Sequence, residues 1–315
     1  MGLKGYNFKG DSDTLPAEYR ISPPTPFAKA IVMKLRKHRI IRKIARLLKR
    51  PLARRSVYID RMVESQHLFD LARKLRPLKT RFDLVRIGGT NDGGYLLPDD
   101  LDGIVACFSP GVAGNSSFEI DLLQKKGINS HLADYSVSEP PMNFKPSSFT
   151  KKYVGTVNDE MFMTLDKWVS DQNEFETGKD FLLQMDIEGW EYPSLLSVSE
   201  DVLKRFRIIV LEVHDIESWG HPPFFRMVEA FFAKLLKNFY VVHNHPNNFC
   251  GAINMGGFEA PRVIELTLLR KDRSDKLGFC DEFPHPLDTP NVLSYKNRTY
   301  KDWPLPRNWY QFPED

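Results

Sequence analysis

The sequence predicts an α/β protein with a mostly parallel sheet and helices on both of its faces. Short apolar runs of strand length alternate with segments of helical periodicity over most of the 315 residues. Strands that alternate with helices in this way favour right-handed crossovers, which build parallel sheets. A hydrophobic fraction of 42% and a charged fraction of 27% are typical of folded proteins. The length suits one large domain with extensions.

The chain divides into three predicted segments. Residues 1–80 form a polar lead-in and a basic helical extension, residues 81–272 form the α/β domain, and residues 273–315 form a tail rich in proline and aromatic residues. Between Lys29 and Arg55, lysines and arginines without any acid are interleaved with apolar residues at helical spacing. This pattern predicts amphipathic helices that either pack on the main domain or contact anionic lipid. The tail either wraps the domain or covers its site.

Composition also argues against several classes of protein. No apolar run reaches the roughly 18 residues that a membrane span requires. No apolar segment with a small-residue cleavage site follows Met1, so we expect a cytoplasmic protein, with the basic extension as a route to peripheral membrane contact. Cys107, Cys250 and Cys280 form no CxxC pair, which argues against a disulfide framework and a thiolate zinc site. The basic extension lacks aromatic residues for base stacking, so no nucleic-acid partner is expected.

Six apolar runs are predicted as strands, at residues 104–108, 130–134, 181–186, 207–214, 239–245 and 262–270. Helical patterns occur at residues 56–78, 118–126, 165–172, 192–206 and 224–237. The first of these helices is expected to carry Met62 and Leu68 on its apolar side and to end at Pro77. No convincing helix separates the last two strands, so they should pair antiparallel at or near one edge of the sheet.

A glycine-containing turn follows the first predicted strand, in the segment SPGVAGNSSFE. Gly111 and Gly114 permit a tight turn and close backbone approach, and the helix that begins near Ser116 offers unpaired amide groups to an anionic ligand. Asp134 ends the next strand, about 23 residues further on, where a carboxylate can bind the ribose hydroxyls of a nucleotide. The glycine turn and this acid together predict a nucleoside-containing cofactor.

Acids cluster after the strand in FLLQMDIEGWE, residues 181–191. Asp186, Glu188 and Glu191 follow a strand that should be central, so they are expected at the carboxyl edge of the sheet beside the cofactor. Carboxylates there can stabilise a sulfonium cation or a divalent metal ion. For Glu191 we favour a place at the positive end of the following helix.

Polar side chains also end the next two predicted strands along the chain. They are Glu212, His214 and Asp215 on the first, and His243, His245, Asn247 and Asn248 on the second. The three histidines are candidates for a base that removes a hydroxyl proton, with His243 or His245 favoured, and the two asparagines are candidates for binding sugar hydroxyls. A divalent metal, most plausibly Mg²⁺ on Asp186 with Glu212 or Asp215, is an equally open means of activating the hydroxyl.

These motifs resemble those of a known family. LLQMDIEGWE is similar to the K-M-D-I-E-G-x-E signature of FkbM-type methyltransferases, with Gln184 where lysine is usual. The segments TLD at residues 164–166 and LEVH at residues 211–214 resemble further elements of that family. RIGGTNDGGYLLPDD and the H-x-H-x-N-N run are similar to a bacterial subgroup linked to glycan modification. The resemblance covers about Arg86 to Arg270.

The resemblance implies S-adenosylmethionine as the cofactor and a Rossmann-like sheet of seven strands, mostly parallel with an antiparallel last strand. It also implies the cofactor-binding residues, which are Tyr95, Gly111, Gly114, Asn115, Ser116, Asp134 and Asp186. Asp92, Gly93 and Gly94 are expected near the methionine end of the cofactor, although D-G-G is also a strong signal for a plain turn.

The function predicted from these observations is in-line methyl transfer to a hydroxyl of a sugar or glycan precursor, with a histidine base or a divalent metal. A nucleotide-linked or lipid-linked acceptor suits the basic extension. Two alternatives from other classes are a scaffold with a non-catalytic cofactor site and a nicotinamide-dependent oxidoreductase, for which the glycine turn and Asp134 would serve equally.

Overall fold

The computed structural model describes residues 61–296 and 298–312, so the predicted basic helices between residues 29 and 55 lie outside the described residues. The α-helices are α1 (Ser65–Lys74), α2 (Ser117–Lys126), α3 (Leu165–Ser170), α4 (Glu191–Ser197), α5 (Glu200–Leu203) and α6 (Pro222–Asn238). In this part of the chain, no helix combines the length and the apolar character needed to cross a membrane.

The strands follow the predicted apolar runs closely and include several short additions. They are β1 (Leu84–Gly88), β2 (Gly94–Pro98), β3 (Ile104–Pro110), β4 (Ser130–Ala133), β5 (Ser148–Thr150), β6 (Tyr153–Gly155), β7 (Phe162–Thr164), β8 (Asp180–Met185), β9 (Phe206–Val213), β10 (Phe239–Pro246), β11 (Ala252–Met255), β12 (Phe258–Pro261), β13 (Ile264–Arg270), β14 (Ser294–Tyr295) and β15 (Arg298–Thr299).

Seven strands form the central sheet, in the order β10-β13-β9-β8-β3-β4-β5. The neighbours from β9 to β5 are parallel, whereas β13 runs antiparallel to both β9 and β10. The predicted α/β class with a large, mostly parallel sheet is confirmed. The antiparallel pairing of β10 with β13 is also as predicted, since a parallel pair would have needed a longer crossover.

Both faces of the sheet are buried, as its apolar strands require. Phe181 and Leu183 of β8 pack into the larger core with α1 and α3 to α6, whereas Leu182 between them packs with α2 and the β1–β2 hairpin. The alternation follows from the two-residue period of a strand. The central strands are therefore fixed in register, and the loops at their carboxyl ends start from rigid positions.

Two helical predictions were wrong. The segment predicted as one helix from residue 192 to 206 is two helices, because Val198 has an extended backbone and the hydroxyl of Ser199 accepts a hydrogen bond from the Val202 amide, which caps α5. Met62 lies ahead of α1 with 52% of its surface exposed, so it does not belong to the apolar side of that helix. Each of the two helices begins with a glutamate, which is Glu191 in α4 and Glu200 in α5.

Charged side chains close the amino edge of the sheet, opposite the predicted cofactor site. The Asp180 carboxylate accepts hydrogen bonds from Arg207 Nε at 2.8 Å and from Arg270 Nη1 at 2.7 Å. Arg207 is 6% exposed and also donates to the carbonyl oxygens of Asp100 and Asp102. Ion pairs therefore join the first residue of β8 to β9 and to the last residue of β13.

The C-terminal tail wraps the domain. Trp309 is fully buried, with its ring centroid 6.0 Å from that of Trp219 and 5.4 Å from that of Phe258. Nearer its start, the tail reaches the carboxyl edge of the sheet, where the carbonyl oxygen of Asn291 accepts a hydrogen bond from the Asp92 amide at 3.0 Å. The tail thus supports the loop between β1 and β2.

Candidate active site

The loop after β3 contacts the loop after β8 without any intervening side chain. Gly111 has a φ of +86°, and a Cβ atom there would lie 1.7 Å from the carbonyl oxygen of Asp186. Glycine is therefore required at this position by the approach of the two backbones. Gly114 differs, since a Cβ atom there would meet no atom within 4 Å. Gly114 borders open space and is not needed for packing.

Two adjacent cavities lie along this carboxyl edge, and Gly111, Ala113 and Asp186 line both of them. The smaller has a volume of about 90 Å³, and its lining includes Asp92, Gly93, Tyr95, Asn115, Ser117 and Gln184. The larger has a volume of about 460 Å³, and its lining includes Asp134, Ser136, Tyr153, Phe162, Glu188 and Trp190. The structure thus brings most of the predicted cofactor residues together, with Asp186 at the junction of the two cavities.

Ser116 is an exception among the predicted cofactor residues. It is completely buried, its amide donates to the sulfur of Met142, and its hydroxyl has no hydrogen-bond partner among the described residues. The neighbouring Ser117 lines the smaller cavity instead, and its amide donates to Asn115 Oδ1 at 3.0 Å. Ser117 was not among the predicted residues, because the sequence does not show which of two adjacent serines faces outward.

A buried chain of hydrogen bonds supports the smaller cavity. Ser109 Oγ contacts Glu119 Oε1 and donates to Gln184 Oε1 at 2.6 Å, and Gln184 Nε2 donates to the Tyr95 hydroxyl at 3.4 Å. Burial raises the pKa of Glu119 above its ordinary value, which favours the protonated carboxyl that can donate to Ser109. Gln184, which stands where the resembling family usually has lysine, is uncharged and links Ser109 to Tyr95 in this chain of hydrogen bonds.

Asp134 holds the turn at the edge of the larger cavity. Its Oδ2 accepts a hydrogen bond from the Ala113 amide at 2.8 Å, and its Oδ1 accepts from the amide and the hydroxyl of Ser136, both at 2.7 Å. These three bonds fix the orientation of a side chain that is 5% exposed. A carboxylate has about four acceptor positions, so one remains for a ligand hydroxyl.

Aromatic side chains form the outer wall of the larger cavity. The ring centroids of Tyr153 and Phe162 are 5.6 Å apart, and those of Phe162 and Trp190 are 5.4 Å apart. Tyr153 is 38% exposed and Trp190 is 45% exposed. Sequence reasoning missed these residues, although the exposed indole in the EGWE motif was a usable signal. They provide flat apolar surfaces on which a base or a sugar can stack.

His214 lies at the end of β9 among the acids that follow β8. Its Nδ1 is 3.2 Å from Glu191 Oε1, and its Nε2 is 3.7 Å from Asp186 Oδ1 and 3.5 Å from Glu188 Oε2. Burial disfavours the charged imidazole, but the hydrogen bond with Glu191 and the negative charges of the three acids raise the pKa of His214 to about 9. Burial also raises the pKa of Asp186, to about 6.

The other predicted metal ligands have different surroundings. Glu212 is buried, and its Oε1 accepts a hydrogen bond from Asn247 Nδ2 at 2.8 Å; burial and the charge of Asp186 raise its pKa well above the ordinary value. Asp215 is exposed and has a φ of +56°. Glu191 accepts a hydrogen bond from the Ile187 amide at 2.9 Å, which joins the start of α4 to the preceding loop.

His243 and His245 line neither of the two cavities, and both contact the C-terminal tail. His243 Nε2 is 2.9 Å from Asp288 Oδ1, and His245 Nε2 is 3.0 Å from Asp302 Oδ1. Asn248 Nδ2 likewise donates to the carbonyl oxygen of Val292 in the tail at 2.8 Å. In the structure, the predicted bases and sugar-binding amides thus have partners within the fold.

The surroundings of His245 predict how the free energy of unfolding depends on pH. Burial disfavours its charge, but hydrogen bonds with Asp302 and Glu265 raise its pKa to about 10. Its contribution to stability is therefore complete below the ordinary pKa near 6.5 and declines as the pH rises towards 10. We expect Asp302→Asn to lower the free energy of unfolding by about 2 kcal/mol at pH 6 and by less at pH 9.

Urea denaturation of the wild type and the variant at pH 6, 7.5 and 9 measures this difference. Asp171→Asn is the control, since Asp171 forms an exposed ion pair with Lys167 and should show the same small effect throughout this range. A deficit for Asp302→Asn that is equal at all three pH values would contradict a charged His245.

One comparison with known proteins gave a match. Residues 102–239 match the family model described as "Methyltransferase FkbM domain". Neither the comparison with curated proteins nor that with solved structures returned a match. The matched region runs from just before β3 to the start of β10 and includes Asp134, the acidic loop after β8 and His214. Methyltransferases in general take their methyl group from S-adenosylmethionine. The match supports the FkbM-type methyltransferase family for this region of the chain and indicates a methyltransferase domain.

Proposed function

We propose that this protein transfers the methyl group of S-adenosylmethionine to a hydroxyl of a sugar or glycan precursor. The observation that carries the proposal is the pair of adjacent cavities with the carboxylate of Asp186 at their junction. A sulfonium ion is positively charged, so a carboxylate beside it stabilises the bound cofactor.

The residues around the cavities fit this cofactor. The smaller, polar cavity offers Asn115 and Ser117 to the amino-acid end. The free acceptor position on Asp134 suits a ribose hydroxyl, and the aromatic wall that includes Phe162 suits an adenine ring. Asp186, which lines both cavities, would then stabilise the positive charge on the sulfur.

The acceptor binds outside this junction, near Glu188 and Trp190. Trp190 is the most exposed ring of the aromatic wall and can stack against the apolar face of a sugar. A sugar hydroxyl is a very weak acid, so its proton has to be removed as the carbon–oxygen bond forms. We assign that task to the acidic edge around His214, where Glu188 lines the larger cavity and can take the proton.

We also propose that the acceptor sugar is linked to a nucleotide or to a lipid phosphate. The basic segment between Lys29 and Arg55 provides the positive charge that such groups would bind, and it also suits a cytoplasmic protein that visits an anionic membrane surface. The scaffold and oxidoreductase alternatives are less well supported, since the matched domain is that of methyltransferases.

Methyl transfer from labelled cofactor tests the proposal. The full chain is incubated with S-adenosylmethionine carrying a tritiated methyl group and with separate pools of nucleotide-linked sugars, lipid-linked sugars, free sugars, amines and peptides. We expect label in a sugar pool as a base-stable methyl ether, located by tandem mass spectrometry. Label on nitrogen or on a carboxyl group contradicts hydroxyl transfer. Failure of the protein to bind the cofactor by calorimetry contradicts the proposed function as a whole.

A further inference from the structure

The imidazole of His214 has more carboxylates around it than its hydrogen bonds can use. Only Glu191 Oε1, at 3.2 Å from Nδ1, is at hydrogen-bond distance. Asp186 Oδ1 and Glu188 Oε2 lie 3.7 Å and 3.5 Å from Nε2, which is too far for a good hydrogen bond. Ligand atoms about 2.1 Å from a metal are roughly 3.0–3.5 Å from each other, so Glu188 Oε2 lies at the limit of this range and Asp186 Oδ1 slightly beyond it.

Two carboxylate oxygens in this cluster have no hydrogen-bond partner among the described residues. Glu191 is completely buried, yet its Oε2 has no donor, and neither has the buried Oδ1 of Asp186. A buried acceptor without a donor destabilises the folded protein. One ligand atom each from Asp186, Glu191 and His214 lie within 4.8 Å of one another. A cation between these atoms would satisfy the oxygens that the protein leaves without donors.

We propose that Asp186, Glu191 and His214 bind a divalent transition-metal ion, with Glu188 on its solvent side. Two carboxylates with an imidazole suit Mn²⁺ or Zn²⁺ better than Mg²⁺, which prefers oxygen ligands alone. Relative to the ligand set expected from the sequence, Glu191 and His214 replace Glu212 and Asp215. The reason is geometric, because Glu212 is already bonded to Asn247 and Asp215 is exposed.

The role of this ion rests on the proposed function, although the site itself does not. Asp186 lines both cavities and Glu188 lines the larger, so the ion lies where the acceptor hydroxyl arrives. Coordination of the acceptor oxygen makes its proton more acidic. In the transfer step the oxygen bonds to the methyl carbon, the carbon–sulfur bond breaks and leaves its electron pair on sulfur, and the proton passes to Glu188 and then to water.

Binding of Mn²⁺ to the full chain tests the site directly. The free ion has a strong paramagnetic resonance signal that disappears on binding, so titration up to about 1 mM Mn²⁺ measures weak affinities as well as tight ones. We expect one ion per chain and at least a tenfold loss of affinity, about 1.4 kcal/mol, in Asp186→Asn and in His214→Gln. Asp215→Asn is the matched control and should bind like the wild type, because Asp215 neighbours the site without belonging to it.

Two results would overturn the site: no loss of the Mn²⁺ signal with wild-type protein, or affinity in Asp186→Asn and His214→Gln equal to that of Asp215→Asn. Circular dichroism checks that each variant is folded. Displacement of bound Mn²⁺ by Mg²⁺ can be measured on the wild type alone, without any variant. We expect Mg²⁺ to displace Mn²⁺ only at a concentration at least tenfold higher than that of Mn²⁺. Displacement at equal concentrations would contradict a site with both oxygen and nitrogen ligands.

Calorimetry with S-adenosylhomocysteine, in EDTA and then with Mn²⁺, separates this proposal from the proposed function. If S-adenosylhomocysteine binds and Mn²⁺ does not, the cation site is wrong and cofactor use stands. If Mn²⁺ binds at these residues and S-adenosylhomocysteine does not bind in either condition, the cation site stands and the proposed function fails.

Discussion

Asp134→Asn is expected to weaken binding of S-adenosylmethionine by roughly 100-fold, equivalent to about 3 kcal/mol. The substitution removes the charge that strengthens a hydrogen bond to the ribose. It also places an amide where the carboxylate accepts from the Ala113 amide at 2.8 Å, so the turn at the cavity edge loses one of its fixed contacts. Calorimetric titration of the wild type and the variant with S-adenosylmethionine measures the loss.

Asp99→Asn serves as the control for this experiment. Asp99 is a partly exposed carboxylate that pairs with Lys126 on the surface, and it lines neither cavity. The control variant should bind S-adenosylmethionine with the affinity of the wild type. Unchanged affinity in a folded Asp134→Asn protein would place the ribose elsewhere and would remove the main support for the assignment of the larger cavity.

Asp180→Ala is expected to lower the free energy of unfolding by about 3–5 kcal/mol. Asp180 is the carboxylate to which both Arg207 and Arg270 donate, so its removal leaves guanidinium groups poorly compensated at the amino edge of the sheet. Urea denaturation followed by circular dichroism at pH 7 measures the effect. The cofactor site lies at the opposite edge, so affinity for S-adenosylmethionine in the folded variant should not change.

Asp272→Ala provides the comparison, because Asp272 pairs with the same Arg270 but its side chain is 59% exposed. An exposed partner of this kind contributes at most about 1 kcal/mol. Burial opposes ionisation of Asp180, but its two arginine partners lower its pKa below 3.8. Its contribution to stability is therefore present above that pH and is lost as the pH falls. Equal destabilisation by the two substitutions would show that burial of the ion pair is unimportant here.

The features that could be predicted from the sequence were those that depend on residues close together along the chain. The apolar run at Phe181–Met185 was long enough to identify a buried strand, and the position of Asp134 at the end of β4 followed from the strand itself. Parallel strands place their carboxyl ends together, so the assembly of Asp134, Asp186 and His214 at one edge needed no other information. The break between α4 and α5 was missed because two extended residues, Val198 and Ser199, suffice to end a helix that the apolar pattern continues.

The features that the sequence did not predict depend on distant parts of the chain. Phe162 and Trp190 form a wall only because the short strand β7 lies beside the loop after β8. The contacts of His243 with Asp288 and of His245 with Asp302 involve residues 45 and 57 positions apart in the chain. The sequence favoured His243 or His245 over His214 as the base, whereas in the structure the tail contacts both of these histidines and His214 lies among the acids.

The hydrogen bond from the Asp92 amide to the Asn291 carbonyl also has a consequence for biosynthesis. Domains fold from the N-terminus onwards as the ribosome releases the chain. Asp92 lines the smaller cavity, yet the residue that supports its backbone is made almost 200 residues later. A nascent chain that has formed its central sheet therefore has an incomplete cofactor site, and we expect ligand-binding competence only after residue 291 has left the ribosome.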